Sequence, residues 1–310
     1  MILVFYLFAG VLVWLSFRSF RGGIAYLEYF RSELAKPPSN YAPFVTVIAP
    51  CKGVDQGFEE NLRALFEQDY PAYEIIFVVD SEMDAAVPVI KQILDSKPQK
   101  AETRPVGSAP CISSRLVIAP KATASAQKIE NLREAVLHTA PESEAFAFVD
   151  SDARPSADWL RSLIAPLADE NVGAATGYRW FISREPTFAS ELRSAWNASI
   201  ASALGPNTGS NFTWGGSTAI RRETFDRIGM REKWTSTLAD DFALTRALNA
   251  ADLDIVFVPQ ALTASVENST LSQMLEFTTR QMKITRVYAT RLWVASFIGS
   301  ALFNGVMIAA

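Results

Sequence analysis

The 310-residue chain is long enough for one large domain or two small ones, and its 49% apolar and 20% charged residues fit a well-packed core. A net charge of −4 without a basic run argues against a nucleic-acid partner. With His138 as its one histidine, the chain has no His-rich zinc site and no Ser-His-Asp triad built on any other histidine. Cys51 and Cys111, without metal-type spacing, read as free thiols of a reducing compartment.

Residues 1–20 carry the uncharged run MILVFYLFAGVLVWLSF, which is just long enough to span a bilayer. It has no basic n-region and no clear cleavage site, so it reads as an uncleaved anchor. Arg18, Arg21, Arg31 and Lys36 outnumber Glu28 and Glu33 in and around the segment 21–43. That excess predicts a cytoplasmic location for the domain beyond it. PPSNYAPF (37–44) is a linker by composition.

From residue 44 to 268, short apolar runs alternate with helical periodicity. The spacing predicts strands at 44–50, 74–80, 115–120 and 145–150, and helices at 58–68, 85–96 and 125–138, with His138 near the end of the last. This alternation predicts a parallel, doubly wound α/β sheet. Beyond Asp152, residues 172–181 are expected as a strand below the first sheet. A helix is expected at 190–204, a loop entering a strand at 213–222, a helix at 238–250 and a strand at 254–259. No Gly-x-Gly-x-x-Gly and no phosphate-loop lysine motif is present, which disfavours dinucleotide binding and triphosphatase chemistry. Residues 269–291 read as an interfacial amphipathic helix with Arg280, Lys283, Arg286 and Arg291. Residues 292–310 read as a second membrane segment that stops while still apolar, either ending inside the bilayer or cut short.

The chemistry centres on AFAFVDSD (145–152), a buried-type strand that ends in two carboxylates. Ligands bind at the carboxyl ends of strands in open α/β sheets. Asp150 and Asp152 there could hold a divalent cation against a diphosphate. Ser156, after Pro155, is the expected N-cap of the next helix, which leaves both aspartates without a structural task. Asp80 ends the second strand and opens on the same edge. It is suited to a nucleotide base or ribose, or to a turn. Thr237-Leu-Ala-Asp240 has capping-box spacing, so Asp240 is expected to close a helix N-terminus. Asp241, about 100° further round the helix, is then free to act as a general base.

The ordered set VTVIAPCKGVD, LFEQDYPAYEIIFVVD, SAQKIENL, FVDSD and LADDFALTRAL resembles glycosyltransferase family 2 with the GT-A fold, and within it the ceramide glucosyltransferase branch. The resemblance runs from about Phe44 to Tyr288. It implies a Rossmann-like, mostly parallel sheet with membrane helices at both ends. It implies donor contacts from Asp80, Lys128, Asn131 and Asp150, a Mg²⁺ or Mn²⁺ ion on Asp150 and Asp152, and Asp241 as catalytic base. Relatives carry Arg or Gln, two residues, then Arg-Trp before the membrane tail; here Arg280-Gln-Met-Lys283-Ile284 keeps charge but loses the guanidinium fork and the aromatic surface. Arg280 and Lys283 are expected to add positive charge at the leaving diphosphate. Trp214, Gly215 and Gly216 either line an acceptor entrance or form an ordinary strand-entry turn. The implied reaction is inverting transfer of a hexose from a UDP-sugar to a membrane lipid such as ceramide. The alternatives are a polyprenyl-phosphate glycosyltransferase, or a catalytically weak, membrane-tethered donor-binding protein.

Overall fold

The apolar runs between residues 45 and 149 become the centre of a seven-stranded sheet. The computed structural model describes residues 2–96 and 111–309. Met1, residues 97–110 and Ala310, parts of the expected anchor, α/β domain and C-terminal segment, lie outside the described residues. In chain order the elements are α1 (Ile2–Leu34), β1 (Val45–Pro50), α2 (Phe58–Ala64), β2 (Ala72–Val79), α3 (Ala86–Ser96), β3 (Cys111–Ile118), α4 (Gln127–Ala135) and β4 (Ala145–Val149). They continue as α5 (Trp159–Ile164), β5 (Val172–Thr176), β6 (Arg179–Ile182), α6 (Phe188–Ala201), β7 (Ser217–Arg221), α7 (Arg222–Arg227), α8 (Met230–Lys233) and α9 (Asp240–Ala250). The chain closes with β8 (Asp254–Phe257), β9 (Thr263–Val266), α10 (Leu271–Tyr288) and α11 (Thr290–Ala309).

The sheet order is β3-β2-β1-β4-β7-β5-β8, and only β7 runs against the rest. The expected parallel sheet is therefore mixed at one point. Alternate residues of each central strand feed two apolar layers, as the two-residue side-chain period requires. Val45, Val47 and Ala49 of β1, Ile75, Phe77 and Val79 of β2, and Ala147 and Val149 of β4 pack under α2, α3 and α5. Ile48, Ile76, Val78, Phe146 and Phe148 face the opposite way, against α4, α7, α8 and α9. With both faces covered, the strands need no polar side, which is why they read as mostly apolar runs, with buried Thr46 and Glu74 as exceptions.

The segment 172–181 is two strands rather than one. It breaks after Thr176, and β6 leaves the main sheet to pair with β9 in a two-stranded ribbon. This ribbon lies beside the end of β4, where Arg154 bridges Ala264.

Two local expectations are corrected. Ser156 is not an N-cap: α5 begins at Trp159, and the Ser156 carbonyl accepts from Trp159 N–H and from the Gln68 amide. Thr237 forms no capping box with Asp240. Its hydroxyl donates to the Trp234 carbonyl, and α9 starts without a side-chain cap. At Ser156 a long-range bond from Gln68 engages the residue that local spacing favours as a cap, and at Thr237 a bond within the preceding turn does so.

Helices Leu3–Leu34 and Thr290–Ala309 are long and apolar enough to cross a membrane, and neither is buried in the protein. They pack against each other. The first continues unbroken through the basic segment and docks on the main domain. The Tyr29 hydroxyl donates to the Phe257 carbonyl at 2.7 Å, Tyr26 stacks on the Phe257 ring, and Gln260 donates to the Glu33 carbonyl. Helix α10 starts with a full capping box, Thr270 with Gln273, and rests its Phe277 on Phe181 and Trp196.

Candidate active site

Strand β4 is buried along its whole length, and Asp150 is the first residue beyond it. Asp80 takes the same position after β2. Strand β1 separates the two, so their strand ends stand about 10 Å apart, two strand spacings.

Asp150 is saturated with positive charge. Lys128 Nζ, from the second residue of α4, lies 2.8 Å from Oδ1, and Arg179 Nη2, at the start of β6, lies 3.3 Å from Oδ2. Burial alone would raise this carboxyl, but Lys128 and Arg179 outweigh it and hold Asp150 below the ordinary carboxylate range. Arg179 also reaches Asp152 Oδ1 at 2.9 Å. Among the described residues Asp152 has no lysine partner, and it lies in the field of Asp150 and Glu267. Burial and these like charges leave it raised despite Arg179.

Lys128 also reaches Asp240 Oδ1 at 3.2 Å, which ties the start of α9 to the end of β4. Asp240 therefore faces the site rather than closing its helix. Its neighbour Asp241 accepts the Phe242 N–H at 2.7 Å. Burial and the adjacent Asp240 push Asp241 up to about 7, against the pull of Lys128. A carboxylate with that value is matched to proton transfer near neutral pH.

Gly215 and Gly216 are the packing floor of this cluster. A Cβ on Gly215 would stand 1.9 Å from Asp240 Oδ2, and one on Gly216 would strike the Trp214 ring and come 2.7 Å from Asp150 Oδ2. Glycine is required there by close approach. Trp214 folds over Gly216, and its ring centre is 5.2 Å from the Arg179 guanidinium carbon.

The remaining expected residues lie apart from this centre. Asp80 pairs with Lys121 at 2.8 Å, and that hydrogen bond, with Lys52 nearby, holds its carboxyl below the usual range despite burial. Asn131 is buried and accepts from the Gln127 amide, which itself donates to the Pro120 carbonyl; it supports the loop before α4. Arg280 and Lys283 form no ion pair with these aspartates among the described residues. Arg280 lies over Phe277, and Lys283 lines a cavity of about 450 Å³ with Trp196, Met282, Arg286 and Trp293. The exposed His138 pairs with Glu134, and the buried Cys51 thiol is pushed far up by desolvation.

Arg179 is not among the residues that the sequence singles out. Its one signal is an arginine placed between Tyr178 and Trp180 in an otherwise apolar strand, a position where a charge must have a partner.

Asp150 and Asp152 offer hard oxygen donors, as Mg²⁺ and Mn²⁺ prefer. Among the described residues no three His, Cys, Asp or Glu side chains gather into a closed metal cage. Two carboxylates with the rest of the shell left to phosphate and water is the usual arrangement for an ion that binds with a diphosphate. The donor set fits such an ion.

A mostly parallel sheet with covered faces, aspartates at the ends of β2 and β4 and an acidic helix start beside them define a GT-A fold. The mannosyltransferase PcManGT from Pyrobaculum calidifontis, solved in complex with GDP-Man and Mn²⁺, superposes with a TM-score of 0.56 at 18% identity, covering 98% of this chain and 88% of its own. That likeness is one of fold. The chain belongs to glycosyl transferase family 21, whose profile matches residues 19–310. It is 21% identical over 232 residues to ceramide glucosyltransferase 1 of Caenorhabditis elegans, covering 73% of this chain and 46% of that one. It is 35% identical over 83 residues to the ceramide glucosyltransferase of Komagataella phaffii, 24% of this chain and 16% of the relative. The chain thus aligns with less than half the length of these relatives, in keeping with the resemblance to the ceramide glucosyltransferase branch read from its motifs.

Proposed function

We propose that the protein transfers a hexose from a UDP-sugar to a membrane lipid, ceramide or a related lipid, with inversion at the anomeric carbon. The observation that carries this reading is Asp241, raised to about 7 and one residue from the Lys128–Asp240 contact that reaches Asp150. The relatives named as ceramide glucosyltransferases support the choice of sugar and lipid.

In this reading Asp80 binds the uracil or ribose, and Asp150 and Asp152 would hold Mg²⁺ or Mn²⁺. A bound divalent cation would neutralise charge on the departing diphosphate. Lys128 and Arg179 hold the carboxylates in place and bring positive charge to the phosphate side. Asp241 takes the proton from the acceptor hydroxyl as its oxygen attacks, so no protein nucleophile is needed. Trp214 forms a wall over Gly215 and Gly216 where the acceptor enters. Arg280 and Lys283, expected at the leaving diphosphate, are assigned in this reading to the lipid side instead, because Lys283 lines the cavity with Trp196 and Trp293 at the foot of α11. The helices α1 and α11 keep the domain at a bilayer, and the basic residues flanking both support a cytoplasmic face for it.

The test is UDP release by the full chain in detergent with Mg²⁺ or Mn²⁺, UDP-hexoses and defined lipids. Lipid-dependent turnover giving a β-linked product from an α-linked donor is expected. Turnover only with polyprenyl phosphate would replace the acceptor, and no lipid-dependent turnover with any UDP-hexose would overturn the reading.

A further inference from the structure

Arg179 occupies the place between Asp150 and Asp152 that the proposed function gives to a divalent cation, with Nη2 at 3.3 and 2.9 Å from the two carboxylates. It is not a mobile surface arginine. Its side chain is 14% exposed and its guanidinium carbon sits 5.3 Å from the Phe181 ring centre and 5.2 Å from that of Trp214. Its backbone is fixed in the ribbon, where Arg179 pairs with Thr263. Arg193 lies over the same Phe181 ring, 4.1 Å from its centre, and pairs with Glu267 at 2.8 Å. The Nε of Arg179 is buried without a hydrogen-bond partner. A buried donor left unsatisfied is costly, so that edge of the fork is available to an incoming acceptor.

The charge balance gives Arg179 a task. Lys128 already takes Asp150 Oδ1 and is shared with Asp240. Without Arg179, Asp152 and the second oxygen of Asp150 would face each other with no cation between them. Such a pair would attract a divalent ion even before a diphosphate arrives to complete its shell.

We propose that Arg179 is a built-in counter-ion that makes metal binding depend on the donor: it holds the two carboxylates until a nucleoside diphosphate arrives, then exchanges them for phosphate oxygens as the cation takes its place. A guanidinium suits both partners, because carboxylate and phosphate match its fork equally well. The Phe181 and Trp214 rings beside it give the guanidinium a cation–π surface. The inference rests on the donor-site reading above and adds to it an order of events, with cation and diphosphate binding as a unit.

The experiment measures Mn²⁺ binding to the full chain in detergent by the loss of the free-ion electron paramagnetic resonance signal, with and without UDP. Wild type is expected to bind Mn²⁺ weakly alone and at least tenfold more tightly with UDP. Arg179→Gln is expected to bind Mn²⁺ at least tenfold more tightly than wild type in the absence of UDP, and to lose most of the UDP dependence. A merely structural lesion would weaken binding, not strengthen it. Arg179→Lys keeps the charge and is expected to stay within threefold of wild type without UDP. If Arg179→Gln binds Mn²⁺ no better than wild type without UDP, or Arg179→Lys binds as tightly as the glutamine variant, the counter-ion role is overturned while the metal-dependent transferase reading stands. If wild type takes up no Mn²⁺ even with UDP, that reading itself falls and Arg179 loses the role with it.

Discussion

Asp150, at the end of β4, and Asp240, at the start of α9, hold one ammonium between them: Lys128 Nζ lies 2.8 Å from the first and 3.2 Å from the second. A strand end and a helix start on opposite sides of the cluster are thus fixed by one side chain. Removing it as Lys128→Met leaves two carboxylates facing each other. A fully buried pair broken this way costs about 3–5 kcal/mol, but the lysine is 34% exposed, so the expected loss is about 1–3 kcal/mol. Adding Asp240→Asn to Lys128→Met should recover part of that loss, because the unpaired charge goes with it. Denaturation midpoints of the two single variants and the double variant check this.

Asp241 supplies a pH signature. Its folded value of about 7 lies above the value near 3.9 expected in the unfolded chain. Between the two the folded protein holds a proton that the unfolded chain has released. This contribution to stability is fully present below pH 4 and is lost as pH rises through about 7. Asp241→Asn should therefore match wild type near pH 4 and exceed it at pH 8 by up to about 4 kcal/mol, the whole of a three-unit difference. Turnover should move the other way. In wild type it rises as pH passes through 7, and in the asparagine variant it falls by roughly 10²–10⁴-fold. An asparagine variant with a wild-type rate profile would remove Asp241 from the chemistry.

Gly215 tests how tightly the floor of the site is built. A methyl group there meets Asp240 Oδ2 at 1.9 Å and the Lys128 ammonium at 3.0 Å. Something must move, and the parts able to move are the start of α9 and the ion pair it makes. Gly215→Ala should lower kcat by about 10²-fold, the scale set by an ångström of misplacement. The fold should survive, since both apolar layers lie elsewhere. Circular dichroism and steady-state rates together separate these outcomes.

The central strands were legible because both their faces are covered, so β1, β2 and β4 are mostly apolar, and β2 and β4 end where Asp80 and Asp150 begin. The family resemblance then pointed to Lys128, and helix geometry together with that resemblance to Asp241. The ribbon was not legible. Its strands β6 and β9 have four residues each, too short to show a period, and they join across a wide gap in sequence. Arg179 belongs to that ribbon, so the cation that meets both carboxylates was hidden with it. Asp240 departs from its expected role for a different reason. Capping-box spacing is one local rule; here the Thr237 hydroxyl turns instead to the Trp234 carbonyl three residues back, and Lys128, supplied by the tertiary fold, takes Asp240.

Lys283 lines the cavity between Trp196 and Trp293 at the foot of α11. If it serves the lipid side, Lys283→Ala should raise the KM for the lipid several-fold and leave the KM for the UDP-sugar within twofold. A change confined to the UDP-sugar would return Lys283 to the diphosphate.

Tyr29 joins α1 to the domain. The Tyr29 hydroxyl reaches the Phe257 carbonyl at the end of β8, and its ring stacks on the Phe257 ring. Tyr29→Phe keeps the stacking and deletes the hydrogen bond, so it should cost about 1 kcal/mol, the net value of one such bond. Tyr29→Ala loses the ring as well and should cost more, about 3–5 kcal/mol if the cavity does not close. Because Phe257 also carries Tyr26, the alanine change should loosen the whole lower half of α1. Hydrogen exchange at residues 24–34 should accelerate in Tyr29→Ala and change little in Tyr29→Phe. Equal exchange in both would mean that α1 rests on the domain without being held by this contact.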